Sequence, residues 1–133
     1  MSERSSRDLA GVFLRRAHND ATAVSEFSAN PRIADSVIGL HAQQATEKCL
    51  KAVMAANGLR VPRTHDLDLL AERLVAAGTE LPVDRDKLDE LTAYAGPLRY
   101  EDLLDAQPLD REAVAVLVDE VARWATAQFE AEA

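Results

Sequence analysis

The sequence predicts an all-α protein, an up-and-down bundle of four to five helices, with residues 1–133 forming one domain. Hydrophobic residues make up 47% of the chain and are mostly Leu, Ala and Val, whereas aromatic residues make up only 5%. Ala and Leu favour helices over strands. Apolar residues recur at three- and four-residue spacing, with Gly and Pro between the periodic segments. The connections are short, so neighbouring helices are expected to run in opposite directions.

The predicted helices are bounded by residues that start or stop helices. Asp, Asn and Thr cap helix N-termini, Gly ends helices in the left-handed conformation, and Pro cannot continue a helix. The segment LRYEDLLDAQPL, before the last helix, is expected to be partly helical or irregular. The helices are predicted from about Ser6 to Phe27, from about Pro31 to Asn57, from a start between Thr64 and Asp66 to Gly78, from Asp84 or Asp86 to Gly96-Pro97, and from Asp110 onward.

The second predicted helix carries a stripe of polar side chains although its other sides are apolar. Apolar residues surround most of its circumference, so we expect this helix at the centre of the bundle. Pattern alone favours a solvated stripe with an ordinary ion pair between Glu47 and Lys51, four residues apart. The alternative is a polar seam that faces a partner subunit or a ligand groove, where a buried charge must be paired. The stripe contains His41, Gln44, Glu47, Lys48 and Lys51.

Composition and charge argue against several classes of protein. The net charge of −8 disfavours a non-specific DNA or RNA coat, because Lys and Arg contacts with phosphates dominate such binding. A local basic site assembled by folding or by dimerisation remains open. No apolar run approaches the roughly 18 residues of a membrane span, so we expect a cytoplasmic protein without membrane contact. Cys49 is the single cysteine and no His lies in a metal-site pattern, so neither a metal nor a cofactor is predicted.

Four separate blocks of the sequence together resemble the HEPN domain, a helical domain linked to nucleotide and RNA transactions. Their order and spacing extend over nearly the whole chain, which makes the resemblance specific. The blocks are Ala17 with Asp20, the run HAQQATEKCLKA from His41 to Ala52, the run THDL from Thr64 to Leu67, and Tyr94 followed by RYED from Arg99 to Asp102.

The resemblance implies a bundle that forms a homodimer, a nucleotide or RNA ligand, and a minimal nucleotidyltransferase as partner, often in a toxin–antitoxin pair. In this interpretation Lys48 and Lys51 supply positive charge to a phosphate. Glu47 holds Lys51 or Arg99 in place, and Tyr100 stacks on a base. The expected ligand or partner contacts are therefore Gln44, Glu47, Lys48, Lys51, Arg99 and Tyr100.

Two alternative functions follow from the same residues. Several family branches are metal-independent ribonucleases, with Arg and His separated by about four to six residues. After Arg99, residues 104–106 contain no His, so this motif is absent from its expected position. Arg60 and His65 match the spacing, but His65 belongs to a THD sequence at a helix start, which capping and packing readily explain. The other alternative is a purely structural interaction protein whose seam stabilises the dimer.

Overall fold

The computed structural model describes residues 3–94 and 108–132, which form five α-helices and contain no strand. This confirms the predicted all-α bundle. None of these described helices has the length and apolar character required to span a lipid bilayer. The helices are α1 (Glu3–Ser28), α2 (Asp35–Ala56), α3 (Leu67–Ala76), α4 (Arg85–Thr92) and α5 (Arg111–Ala131).

The second helix lies at the centre of the bundle, as predicted, and contacts α1, α3, α4 and α5. Near the start of α1, Arg7 donates a hydrogen bond to the carbonyl of Phe129, 3.1 Å away near the end of α5. At the opposite end, Arg111 at the start of α5 reaches the carbonyl of Ser28 at the end of α1. The helices α1 and α5 are therefore antiparallel. Because Arg111 also binds Asp35 at the start of α2, α2 runs parallel to α5.

The core combines large side chains with small ones on the central helix. Within α2, Ile38, Leu50 and Met54 are almost completely buried, and burial of each such side chain contributes roughly 1.5–3 kcal/mol. Ala42 and Ala45 are equally buried, and their size lets neighbouring helices approach closely. The packing therefore stabilises α2 from several sides.

Local capping signals are present at four helix ends in the described part of the chain. Asp66 caps α3, and its Oδ1 accepts a hydrogen bond from the amide of Leu69 at 3.2 Å. Asp110 caps α5. Gly58 and Gly78 have φ angles of 72° and 91°, which only glycine adopts readily, and they follow α2 and α3. These starts and stops confirm the sequence predictions.

The predicted start of α2 is wrong, because the helix begins at Asp35 rather than near Pro31. The Arg111 guanidinium donates to the carbonyls of Asn30 at 2.9 Å and Ile33 at 2.5 Å, which holds the preceding residues in a turn. We call Arg111, Asp35 and the carbonyls of Ser28, Asn30 and Ile33 the Arg111 clamp. Its donor comes from a distant helix, so the local pattern gave no sign of it.

The carboxylate of Asp35 completes the Arg111 clamp. It accepts hydrogen bonds from the backbone amide of Leu109 at 3.0 Å and from Arg111 Nε at 2.8 Å. The Leu109 bond, followed by the Arg111 bond, lowers the pKa of Asp35. The clamp therefore joins the end of α1 and the starts of α2 and α5 at one end of the bundle.

The end of α4 also differs from the prediction, because the helix stops at Thr92 while the predicted stop at Gly96 lies outside the described residues. The amide of Tyr94 bonds to the carbonyl of Leu91, which turns the chain out of the helix. The Tyr94 ring then covers Gly39 of α2. A Cβ at Gly39 would come within 2.5 Å of this ring, so the close approach requires glycine.

Candidate functional site

A buried carboxylate, that of Glu47, binds three polar side chains between α2 and the loop that follows it. Glu47 is only 7% exposed. Its Oε2 accepts a hydrogen bond from Lys51 Nζ at 3.0 Å, and its Oε1 accepts from Gln43 Nε2 at 2.9 Å. His65 Nδ1 lies 2.7 Å from the same Oε1. We call Gln43, Glu47, Lys51 and His65 the Glu47 network.

The Glu47 network keeps the Glu47 side chain ionised and orients the imidazole ring of His65. Burial on its own raises the pKa of Glu47, but the hydrogen bonds from Gln43, His65 and Lys51 together outweigh it, and the pKa is lowered. The ionised carboxylate can only accept, so His65 Nδ1 must donate the proton in their hydrogen bond. The His65 side chain is 71% exposed, and its Nε2 forms no hydrogen bond within the described part of the chain.

The same network attaches the α2–α3 loop, residues 57–66, to the central helix. Gln43 Nε2 donates a second hydrogen bond, 3.3 Å long, to the backbone carbonyl of His65. His65 is thus held by both its ring and its backbone. Within the THD run, Asp66 caps α3, which confirms the predicted capping, whereas His65 binds Glu47.

A second buried carboxylate joins α1 to α2. Asp20 lies 3.0 Å from His41 Nδ1 and accepts a 2.6 Å hydrogen bond from Lys48 Nζ. The His41 ring also packs edge-on against Phe27, with ring centroids 5.7 Å apart. We call Asp20, His41 and Lys48 the Asp20 network. It attaches polar side chains of the central helix to the neighbouring helix.

The stripe on α2 is therefore not solvated in the way that the pattern alone favoured. The ion pair between Glu47 and Lys51 is confirmed, but Lys51 is only 8% exposed. The cause is non-local, because Asp20 from α1 and His65 from the loop cover the polar side of α2. Gln44 is half-buried, and its side chain forms no hydrogen bond to any described residue.

The structure changes what the predicted contact residues can do. The charges of Lys48 and Lys51 are compensated by Asp20 and Glu47, so neither ammonium is free for a phosphate. Arg99 and Tyr100 lie outside the described residues, and their roles stay predictions.

The structure also does not join the predicted pair of Arg60 and His65, because no hydrogen bond connects the two side chains. Arg60 is exposed and lines a groove of about 850 Å³ between the start of α1 and the end of α2. His65 instead bonds to Glu47. The structure therefore brings His65 to a carboxylate and not to an arginine.

Three residues of the networks, Gln43, Asp20 and His41, were missing from the predicted site residues, although His41 was assigned to the polar stripe. Gln43 lies four residues before Glu47, a spacing that places two helical side chains side by side and could have indicated their contact. Asp20 stands in the first block of the HEPN resemblance, but nothing local indicates that it binds side chains 21 and 28 residues away.

The described part of the chain gives little support to metal binding or to a reactive cysteine. Within residues 3–94 and 108–132, no group of three His, Cys, Asp or Glu side chains is placed to hold a metal ion. Cys49 is buried, and burial together with the charge of Asp20 raises the pKa of its thiol to about 12. The thiolate needed for reaction is therefore nearly absent at neutral pH.

Fold and site together define a class of protein: an all-α bundle whose central helix carries buried carboxylates paired with basic side chains. The family model of the HEPN domain matches residues 10–128, nearly the whole chain. The chain belongs to the HEPN domain family, which confirms the resemblance, and it is a nucleotide- or RNA-related module. No curated protein and no solved structure matches it.

Proposed function

We propose that the chain is a nucleotide- or RNA-associated binding module that acts as a homodimer with a minimal nucleotidyltransferase partner, in a toxin–antitoxin-like setting. Membership of the HEPN family supports the ligand class. The observation that carries the proposal is that His65, in a loop with exposed polar side chains, is attached to the core through the buried Glu47. A surface held in place before binding loses less conformational entropy when the ligand arrives.

Direct binding measurements test the ligand class. Fluorescence anisotropy with a short labelled single-stranded RNA, and calorimetric titration with ATP, should show saturable binding at low salt. Binding should weaken as salt is added, because phosphate contacts release counterions. If neither RNA nor ATP binds to the folded protein, the binding-module proposal is wrong, and the purely structural alternative gains support.

The proposed dimer face is the partly exposed edge of the α2 stripe. The amide of Gln44 has no partner within the described chain, and the Lys48 side chain beside it remains 23% exposed. A second subunit could satisfy this amide. The substitution Gln44→Arg should shift sedimentation from dimer to monomer. Gln128→Arg, the same change at a half-buried site on α5, should leave the dimer intact.

The nucleotidyltransferase partner is supported by the family alone. Co-expression of the chain with a minimal nucleotidyltransferase from the same genome, followed by size-exclusion chromatography, should yield one co-eluting complex. Separate elution of the two folded proteins would contradict this part of the proposal and leave ligand binding open.

A second candidate function, metal-independent RNA cleavage, is favoured by the contact between Glu47 and His65. A carboxylate that binds Nδ1 orients an imidazole and leaves Nε2 for proton transfer to or from a substrate hydroxyl. Incubation of RNA with the protein in chelator tests this directly. Cleavage that disappears in His65→Ala would establish the enzyme, whereas equal cleavage by wild type and variant would indicate a contaminating nuclease.

A further inference from the structure

The α2–α3 loop concentrates positive charge on an otherwise acidic protein. Arg60, Arg63 and His65 lie within six consecutive residues, while the whole chain has a net charge of −8. Arg60 and Arg63 are exposed, and neither forms an ion pair with any carboxylate in the described part of the chain. Their charges are thus uncompensated at the surface.

The lysines of the α2 stripe, in contrast, are paired with buried carboxylates. A phosphate at Lys51 would have to displace the buried Glu47 carboxylate, which is only 3.0 Å from the ammonium. At Lys48 it would have to displace Asp20, 2.6 Å away. Either exchange leaves a buried carboxylate without its cation, which is costly. An incoming anion therefore meets less competition at the loop than at the stripe.

Both ends of the loop are held in place. At its start, the amide of Gly58 bonds to the carbonyl of Ala55 at 3.0 Å, and the amide of Leu59 bonds to the carbonyl of Met54 at 2.9 Å. At its end, the Glu47 network holds His65. The exposed cations therefore project from a short segment that is fixed at both sides, which suits it to recognise an anion of defined shape.

We propose that this loop is the phosphate-binding surface of the module, with Arg60 and Arg63 contacting phosphate oxygens and the exposed His65 ring as a further contact from the same loop. The inference rests on the proposed binding function and assigns its ligand contacts to the loop in place of Lys48 and Lys51. Arginine suits this role because its planar guanidinium binds two phosphate oxygens at once. The phosphate belongs either to an RNA backbone or to a free nucleotide.

A charge-matched pair of variants of the full chain tests the assignment. Arg60→Ala/Arg63→Ala removes two positive charges from the loop, and Arg15→Ala/Arg16→Ala removes two from exposed positions on α1. Circular dichroism and thermal melting establish that both variants fold. Affinity is then measured for a short labelled single-stranded RNA over a series of salt concentrations, and for ATP by calorimetry.

The loop variant should bind its ligand at least about tenfold more weakly, with a salt slope smaller by roughly 1.4, or about 0.7 for each lost contact on a single strand. The α1 variant should stay within about twofold of wild type. Such a loss for RNA alone supports the backbone as the source of the phosphate, and a loss for ATP alone supports the free nucleotide. His65→Ala should weaken the same ligand further when added to the loop variant.

Two results would overturn the inference while leaving the binding function intact: wild-type affinity in the loop variant, or equal weakening in both double variants. The first places the contacts elsewhere, and the second shows that only overall charge matters. Failure of wild type to bind either probe would refute the binding function itself, and with it the loop assignment.

Discussion

The substitution Lys51→Met tests the energetic role of the Glu47 network. Methionine keeps most of the buried aliphatic length of lysine but removes the ammonium, so Glu47 loses one of three hydrogen-bond donors. Loss of one partner from a buried ion pair costs about 3–5 kcal/mol, because the other charge stays buried. Gln43 and His65 still bind the carboxylate, so we expect the lower end of this range, about 3 kcal/mol.

Thermal and urea unfolding, followed by circular dichroism, measure this cost. For a chain of this size, about 3 kcal/mol corresponds to a fall in Tm of roughly 10 °C. The pair Asp119 and Arg123 is a matched control, since it has the same four-residue spacing and an N–O distance of 3.0 Å but is largely exposed. Arg123→Met should cost less than about 1 kcal/mol. Equal losses in the two variants would refute the argument from burial.

The effect of Lys51→Met should also depend on pH. The pKa of Glu47 is lowered below its ordinary value of 4.5 in the folded protein, so its ionisation stabilises the fold above this pH. That contribution is lost as the pH falls through the lowered folded pKa. The difference in unfolding free energy between wild type and Lys51→Met should therefore be largest near neutral pH and shrink in acid. A constant difference would show that the lost stability comes from packing rather than from charge.

Other substitutions and reagents test the rest of the bundle. Gly39→Ala should destabilise the protein by about 1–3 kcal/mol in urea unfolding, because the new Cβ overlaps the Tyr94 ring, and Gly39→Ala/Tyr94→Ala should recover part of this loss. Asp66→Ala should cost about 1 kcal/mol through loss of the α3 cap, and wild-type stability would contradict the capping assignment. Cys49, whose pKa is raised to about 12, should resist a thiol reagent at pH 8 until denaturant is added; rapid labelling of the native protein would contradict its burial.

Local rules predicted most of the helices, because their signals lie within a few residues of the structure they determine. Asp66 and Asp110 cap the helices that follow them, and Gly58 and Gly78 terminate the helices before them. The ion pair between Glu47 and Lys51 is of the same kind, because residues four apart on a helix are neighbours. The residues that make these features are close together both in the sequence and in space.

The candidate site could be predicted only in part, because its important contacts are distant in sequence. Periodicity shows that Glu47 and Lys51 are adjacent, but it cannot show that His65 covers them from a loop 18 residues further on. The same limit applies to Asp20, which lies on another helix and neutralises Lys48. The sequence therefore indicated which side chains were unusual, whereas their burial and pairing depended on the packing of whole helices.

The Arg111 clamp has a consequence for the order in which the protein can fold. Its carboxylate and guanidinium are 76 residues apart, so the turn after α1 acquires its principal hydrogen-bond donor only when α5 has been made. Until then, α1 and α2 can pair, but the side of α2 that later packs on α5 remains exposed to solvent. Contacts of such long range form slowly. Growing chains on the ribosome should therefore expose apolar surface until α5 emerges, and this interval is when they would most need a chaperone.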